Sequence, residues 1–440
     1  MKEELTVVAK PTFKEMFRYW LKLGFISFGG PTGQIAIMHK DLVEEKKWID
    51  EDHFLQALNF CMILPGPEAQ QLTVYIGWLL HGTPGGIVAG TLFVLPSVFI
   101  LLALSWLYAA LGHVPAVDAL FYGLKPAVAA IVAEAVIRIG KKSLKNEVLI
   151  SLAALSFVGI YFLHIPFPAI ILAAGLIGLA GGVIAPLKFA VNDKNKETSA
   201  SGYVINDTDS SSREGLATWR HSLKVILICL PLWFLPVGIL GLWRGWNDIF
   251  VDIGILFSKA AMVTFGGAYA VLAYISQQTV DHYGWLRPAQ MIDGLGLAET
   301  TPGPLIMVTQ FVGYLAAYGQ AHGLQPAMAG LIGGLLTTWV TFVPCFMWIF
   351  VGAPYIEKTR KNVKLGAALA AITAAVVGVV LNLSVLFTTH VLLPEGKGCD
   401  WYALAAAIIA FVGMLRLKWG MIPVILGSAL AGFAWKMFIQ

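Results

Sequence analysis

The chain has 440 residues, of which 58% are hydrophobic types and 13% are charged, with a formal net charge of +4 and a mean hydropathy of +0.74. Soluble domains carry about 25% charged residues, so a water-soluble enzyme or binding module is excluded. The basic residues sit mostly between apolar runs, where membrane orientation rather than nucleic acid accounts for them.

Apolar runs near membrane-spanning length recur at 84–111, 146–163, 167–187 and 419–438. In lipid, a helix is the element that satisfies its own backbone within one segment. The sequence therefore predicts an all-α polytopic membrane protein. Cys61, Cys229, Cys345 and Cys399 have no paired spacing, so neither a disulfide framework nor a zinc site is expected. The charged N-terminus (Lys2, Glu3, Glu4) lacks the short apolar core and cleavage site of a removable signal peptide.

Taken in chain order, the first segments are short. Residues 13–28, 52–64 and 68–81 fall below the ~20 residues of a full crossing and fit half-helices. Gly29 and Gly30 permit backbone angles that a helix interior does not use. Pro31 then suits the first position of a new helix. Pro65 removes a helical hydrogen bond, Gly66 allows a turn and Pro67 can start the next half-helix. Each break frees backbone N–H groups at a positive helix end, a natural seat for an anion. Bare backbone at membrane depth needs protein or a water-filled cavity around it. Simple proline kinks are the plainer alternative, as are re-entrant hairpins in place of broken crossings. The charged run 39–53 between the breaks cannot lie in lipid and reads as a solvated connector or a cytoplasmic gate. Trp48 suits the membrane interface, as does Trp285 further on.

The polar, Ser-rich stretch 189–218 has linker composition, and one apolar segment follows at 220–242. Then the opening pattern returns. Gly30 and Gly267, Trp48 and Trp285, Lys22 and Lys259, and the two Pro-Gly-Pro motifs all lie 237 positions apart. Pro96 and Pro344 lie 248 apart, so the second copy gains residues near 318–326. A duplication is the economical reading. It divides the chain into a first repeat at 1–188, a linker at 189–219, a connecting transmembrane helix at 220–242 and a second repeat at 243–440.

Basic clusters at 138–145, in the linker, at 358–364 and at Arg416 and Lys418 are assigned to the cytoplasmic side. Corresponding loops of the two copies then fall on opposite sides. The copies are expected to be inverted, with the extra segment supplying the odd crossing, the N-terminus cytoplasmic and the C-terminus outside. Inverted repeats are frequent in secondary transporters, and channels have them too.

Ionisable residues at membrane depth are candidates for function. Lys22 and Lys259 precede the two Phe-Gly-Gly breaks at equivalent positions; the plainer reading is snorkelling to the headgroups. Glu68 follows one Pro-Gly-Pro and Glu299 precedes the other, as helix caps or as proton-coupling carboxylates. Gln70, Gln71, Thr300, Thr301 and Gln310 offer hydrogen bonds near the breaks, or simply join helices. Glu134 and Arg138, spaced i and i+4, read as a structural pair. No phosphate-binding loop, zinc-protease motif or nucleophile elbow occurs, and the histidines show no metal-ligand spacing. Neither a cofactor nor a metal is expected.

The stretches "FGGPTGQIAIM", "LPGPEAQQLTVYIGWLLHG" and "GLAETTPGPLIMVTQFVGY" resemble the chromate ion transporter family in its long two-domain form. The resemblance covers both halves in order. It implies a multi-pass protein of the bacterial inner membrane that exports chromate and confers chromate resistance. The family's motifs fall on Gly29, Gly30, Pro65, Gly66, Pro67, Gly266, Gly267, Pro302, Gly303 and Pro304. The second copy departs from the first at Ala268-Tyr269, where the first has Pro31-Thr32.

The expected reading is a secondary transporter, driven by membrane potential or by proton or anion exchange, with the anion between the break tips and Lys22 and Lys259 offsetting its charge. The alternatives are transport of sulfate or another oxyanion, an anion channel, or a membrane-embedded redox enzyme. The expected partners are the oxyanion and the lipid bilayer, with no nucleic acid; a homodimer is compatible with the sequence.

Overall fold

The computed structural model describes residues 9–112, 114–185, 203–205, 218–265, 267–321, 323–355, 363–394 and 398–438. Gly266, most of the linker, and Lys358, Arg360 and Lys361 lie outside the described residues.

Helix α1 (Phe13–Ile26) starts at a capping box. The Thr12 amide donates to Glu15 at 2.7 Å, and the Glu15 amide returns a bond to Thr12 Oγ1 at 3.3 Å. Helix α2 (Gly30–His39) runs into a π-helical turn (Lys40–Glu45). Helix α3 (Glu51–Ile63) is capped by Asp50, which accepts from the His53 amide at 2.7 Å. Helix α4 (Glu68–Leu111) is interrupted at His81 and Gly82, where Gly82 takes φ +65. The part before the interruption is the third short segment that the sequence predicts. Helices α5 (Pro115–Ser143), α6 (Glu147–Tyr161) and α7 (Phe167–Ile184) complete the first series.

Helix α8 (Trp219–Arg244) has no counterpart in the first series and covers the predicted connecting segment. Leu227, Leu235 and Leu242 on it are exposed, as a lipid-facing helix requires. The second series is α9 (Ile249–Val263), α10 (Ala268–Ser276), a second π-helical turn (Gln277–His282), α11 (Pro288–Thr300), a 3₁₀ turn (Leu305–Met307) leading into α12 (Val308–Gly319), α13 (Pro326–Gly352), α14 (Val363–Leu392), α15 (Trp401–Leu417) and α16 (Met421–Phe438). From α1 to α3 it repeats the first series at the offset of the motifs, including the π-helical turn.

Seven helices among the described residues are long and apolar enough to cross a membrane. The protein is an all-α polytopic membrane protein.

The two series interlock. Helices α6 and α7 pack on α14, while α15 and α16 pack on α5, and α5 and α14 pack on each other. Without a hydrophobic driving force between helices in lipid, small residues set how closely they approach. A Cβ on Gly123 of α5 would lie 2.6 Å from Gly432 Cα on α16, so this crossing depends on a glycine pair. Beneath these long helices, the short helices α1 to α3 and α9 to α11 bring their broken ends together.

Candidate functional site at the crossed breaks

Each Pro-Gly-Pro tip is held by the Phe-Gly-Gly tip of the other series. The Gly66 amide donates to the Thr264 carbonyl at 2.8 Å, and the Gly303 amide donates to the Ser27 carbonyl, also at 2.8 Å. Ser27 and Thr264 immediately precede the two Phe-Gly-Gly motifs and occupy equivalent repeat positions. The crossing is therefore reciprocal.

The glycines are required there for two reasons. Gly66 takes φ +133 and Gly303 takes φ +103, backbone that side chains rarely adopt. The space is also filled. A Cβ on Gly66 would lie 2.7 Å from Gln71 Nε2 and 2.9 Å from Cys345 Sγ, and a Cβ on Gly303 would run into Ser97 Oγ. Ser97 and Cys345 follow the equivalent prolines Pro96 and Pro344. The Ser97 hydroxyl donates to the Pro302 carbonyl. Gln34 braces the same tip, donating from Nε2 to the Gly303 carbonyl at 2.5 Å and to the Ser27 carbonyl at 3.2 Å.

New helices leave these tips. Helix α2 begins after Gly29 (φ +88) and α10 after Gly267 (φ +103), and neither has a side-chain cap. Their first-turn N–H groups have no intrahelical acceptor. Buried polar atoms also stand without a hydrogen-bond partner at the tips: Ser27 Oγ, Gln34 Oε1, Gln71 Oε1 and both amide atoms of Gln70. Leaving such groups unpaired costs about 1–3 kcal/mol each, which is the signature of a place that receives a ligand or water.

The sequence-predicted residues divide into groups. Pro65, Gly66, Pro67, Gln71, Pro302, Gly303 and Pro304 form the crossing, with Gly29, Gly30 and Gly267 half-buried at the adjoining helix starts. Gln71 donates to the Pro65 carbonyl at 2.9 Å. Thr300 and Thr301 turn their hydroxyls back to the Leu297 and Ala298 carbonyls of α11 at 2.8 and 3.0 Å. Gln310 joins α12 to α4 by donating to the Val98 carbonyl at 2.8 Å. Glu299 is buried and accepts from the Tyr269 hydroxyl at 2.5 Å. Glu68 is half-buried, makes no hydrogen bond to the described residues, and feels the charge of Lys142.

Lys22 and Lys259 are exposed and form no ion pair with the described residues. Lys22 shares its helix face with Arg18, Phe25 and Ile26, and Lys259 shares its face with Ile255 and Met262, all exposed. The buried stripe of α1 is Met16, Tyr19, Trp20 and Leu23.

Two charged groups gain surroundings that the sequence did not indicate: Arg138, expected only as half of a structural pair, and Asp293. The Glu134–Arg138 pair (3.1 Å) is present as expected. Arg138 Nη1 also donates to Thr32 Oγ1 at 3.3 Å, in the first turn of α2. Asp293, buried on α11, accepts from the Tyr108 hydroxyl at 2.9 Å and lies 3.7 Å from Lys125 Nζ. The charged connector pairs mostly within itself, through His39 with Glu44 and Glu51, Lys40 with Glu45, and His53 with Asp50. Trp48 is buried against Tyr19, and the neighbouring Ile49 pairs with Ile205.

The chromate transporter family profile matches residues 14–179 and 251–433. The chain belongs to this family. It is 30% identical over 439 residues to a chromate transport protein of Pseudomonas aeruginosa, covering 97% of this chain and 93% of that one. It is 28% identical over 431 residues to a chromate transport protein of Cupriavidus metallidurans, covering 96% and 92%. A probable chromate transport protein of Synechococcus elongatus is 27% identical over 377 residues, covering 85% and 84%. No solved structure matches the chain.

Proposed function

We propose that this chain is a secondary transporter that moves chromate out of the cytoplasm across a bacterial inner membrane and so confers chromate resistance. The reciprocal crossing of Gly66 on Thr264 and Gly303 on Ser27 carries the reading. It sets broken helix ends from both repeats around one place, as a two-sided oxyanion site needs. The repeats, taken as 1–188 and 243–440 with α8 between them, are inverted, the N-terminus lies in the cytoplasm and the C-terminus outside. Exchange of roles between the repeats then opens the site to either side.

The substrate assignment draws on the named relatives. Sulfate has the same charge and tetrahedral shape, so backbone donors alone discriminate weakly between the two. A negative-inside membrane favours anion exit by about 2.3 kcal/mol per charge at 100 mV, so export of a dianion runs on the potential alone. Glu299 and Glu68 are the carboxylates through which proton exchange would add to it.

The test is uptake of radiolabelled chromate into everted membrane vesicles, with sulfate as competitor and with or without an uncoupler. Saturable uptake that collapses with the potential supports export. Sulfate uptake without chromate uptake keeps the architecture and changes the substrate. Flux that never saturates favours an anion channel.

A further inference from the structure

Helix α5 presents Glu134, Arg138 and Lys142 at successive i, i+4 positions, one above the other on a single face. The described breaks meet this face. Thr32, after the first Phe-Gly-Gly, accepts from Arg138 Nη1 at 3.3 Å. Tyr269, after the second, and Glu299, before the second Pro-Gly-Pro, lie in the field of Arg138. Glu68, after the first Pro-Gly-Pro, lies in the field of Lys142. The first Phe-Gly-Gly break thus touches this face by a direct hydrogen bond, from a helix that contains none of the motifs.

We infer that this face of α5, with the Arg138 guanidinium as its centre, is the part of the site that binds the tetrahedral dianion, a role the sequence had given to Lys22 and Lys259. The assignment rests on the transport reading above and deepens it. Arg138 spends Nε on Glu134 and one Nη1 donor on Thr32. Its Nη2 makes no hydrogen bond to the described residues, and the side chain stays 31% exposed. A guanidinium with free donors in a fixed fork suits two oxygens of an oxyanion better than an ammonium does. Ser27 Oγ and Gln70 Nε2, both buried and unpartnered, add donors at the tips.

Glu134 is then the resident competitor. Its carboxylate occupies the edge of Arg138 that an oxyanion would also seek, so it sets how tightly the anion is held. The Ala-Ala-Ile tripeptides at 129–131 and 370–372 set the two helices at an offset of 241, so the equivalent positions on α14 are Ala375, Val379 and Leu383. The charge for the site therefore comes from one half alone.

The experiment is calorimetric titration of the purified full-length protein with chromate and with sulfate. It is done in a detergent without phosphate headgroups, so that it reads free oxyanion rather than a lipid phosphate. Arg138→Gln should weaken binding at least tenfold and Arg138→Lys less. Lys142→Gln should weaken it about threefold, and Lys141→Gln, one position off the face, should leave it unchanged. Glu134→Gln should tighten binding, a gain that a merely structural ion pair would not produce. Unchanged affinity in folded Arg138→Gln overturns the assignment, as does a loss in folded Glu134→Gln equal to that in Arg138→Gln. A lipid-phosphate role for Arg138 would show as unchanged oxyanion affinity and counts against it in the same way. Wild-type protein that binds neither anion overturns the transport reading and this assignment together.

Discussion

Helix α3 carries Gln56 and Met62 where its counterpart α11 carries Asp293 and Glu299, and α5 carries Glu134, Arg138 and Lys142 where α14 carries Ala375, Val379 and Leu383. The backbone does not share this asymmetry: the π-helical turns, the positive-φ glycines and the tip-to-tip hydrogen bonds recur at the same offset. The repeat builds a two-sided frame from main chain. The side chains then give basic charge to the first half's long helix and acid to the second half's broken one. On the proposed transport reading, a symmetric frame is what would let the two halves exchange conformations.

The sharpest way to break the frame is a methyl group at a tip. Gly303→Ala adds a clash with Ser97 to the strain of φ +103, whereas Gly267→Ala at the same φ meets nothing within 4 Å. We expect Gly303→Ala to abolish transport and to lower the thermal midpoint in detergent strongly. Gly267→Ala should lose about 1–3 kcal/mol from strain alone. Equal effects would show that the crossing is not closely packed.

The charge asymmetry is tested at Lys125, part-buried beside Asp293. Lys125→Met leaves a buried carboxylate facing only Tyr108 and should cost roughly 3–5 kcal/mol. The double variant Lys125→Met/Asp293→Leu should recover most of that loss in the same thermal assay. No recovery would mean that Lys125 matters for something other than the pair.

A smaller effect is expected at Gln34, whose equivalent in the second half is Val271. Gln34→Leu removes two donors from the crossing and should cost about 1–3 kcal/mol. The reverse change, Val271→Gln, should bring no gain, because the frame there already stands without it. The smallest effect should come from the exposed lysines. Transport by Lys22→Ala and Lys259→Ala in vesicles should fall by less than that of Arg138→Gln. The opposite ranking would return the countercharge to the lysines.

Much of this frame was readable in the residues. Phe-Gly-Gly and Pro-Gly-Pro mark backbone that a helix cannot continue, and a fixed offset between copies reveals duplication without any structure. The helix between the copies could be placed because apolar length alone defines it. The partner of each tip was not readable, since a pairing between position 66 and position 264 is tertiary and leaves no local pattern. Arg138 was hidden for a related reason. A glutamate and an arginine at i, i+4 look the same on a solvated helix and beside a broken one, and the contact with Thr32 is tertiary. The exposure of Lys22 had a usable signal: Met16, Tyr19, Trp20 and Leu23 recur at helical spacing, and Lys22 falls outside that stripe. Asp293 carried a signal as well, as a lone carboxylate in the apolar stretch "MIDGLGLA".

On the reading proposed above, an oxyanion passes through the crossed breaks against the charged face of α5. The most direct test is initial-rate chromate uptake into everted vesicles containing wild-type protein or Arg138→Gln at matched membrane levels. Saturable, potential-dependent uptake is expected from the wild type, and less than a tenth of that rate from the variant. Equal rates would contradict that reading and place the path elsewhere in the fold.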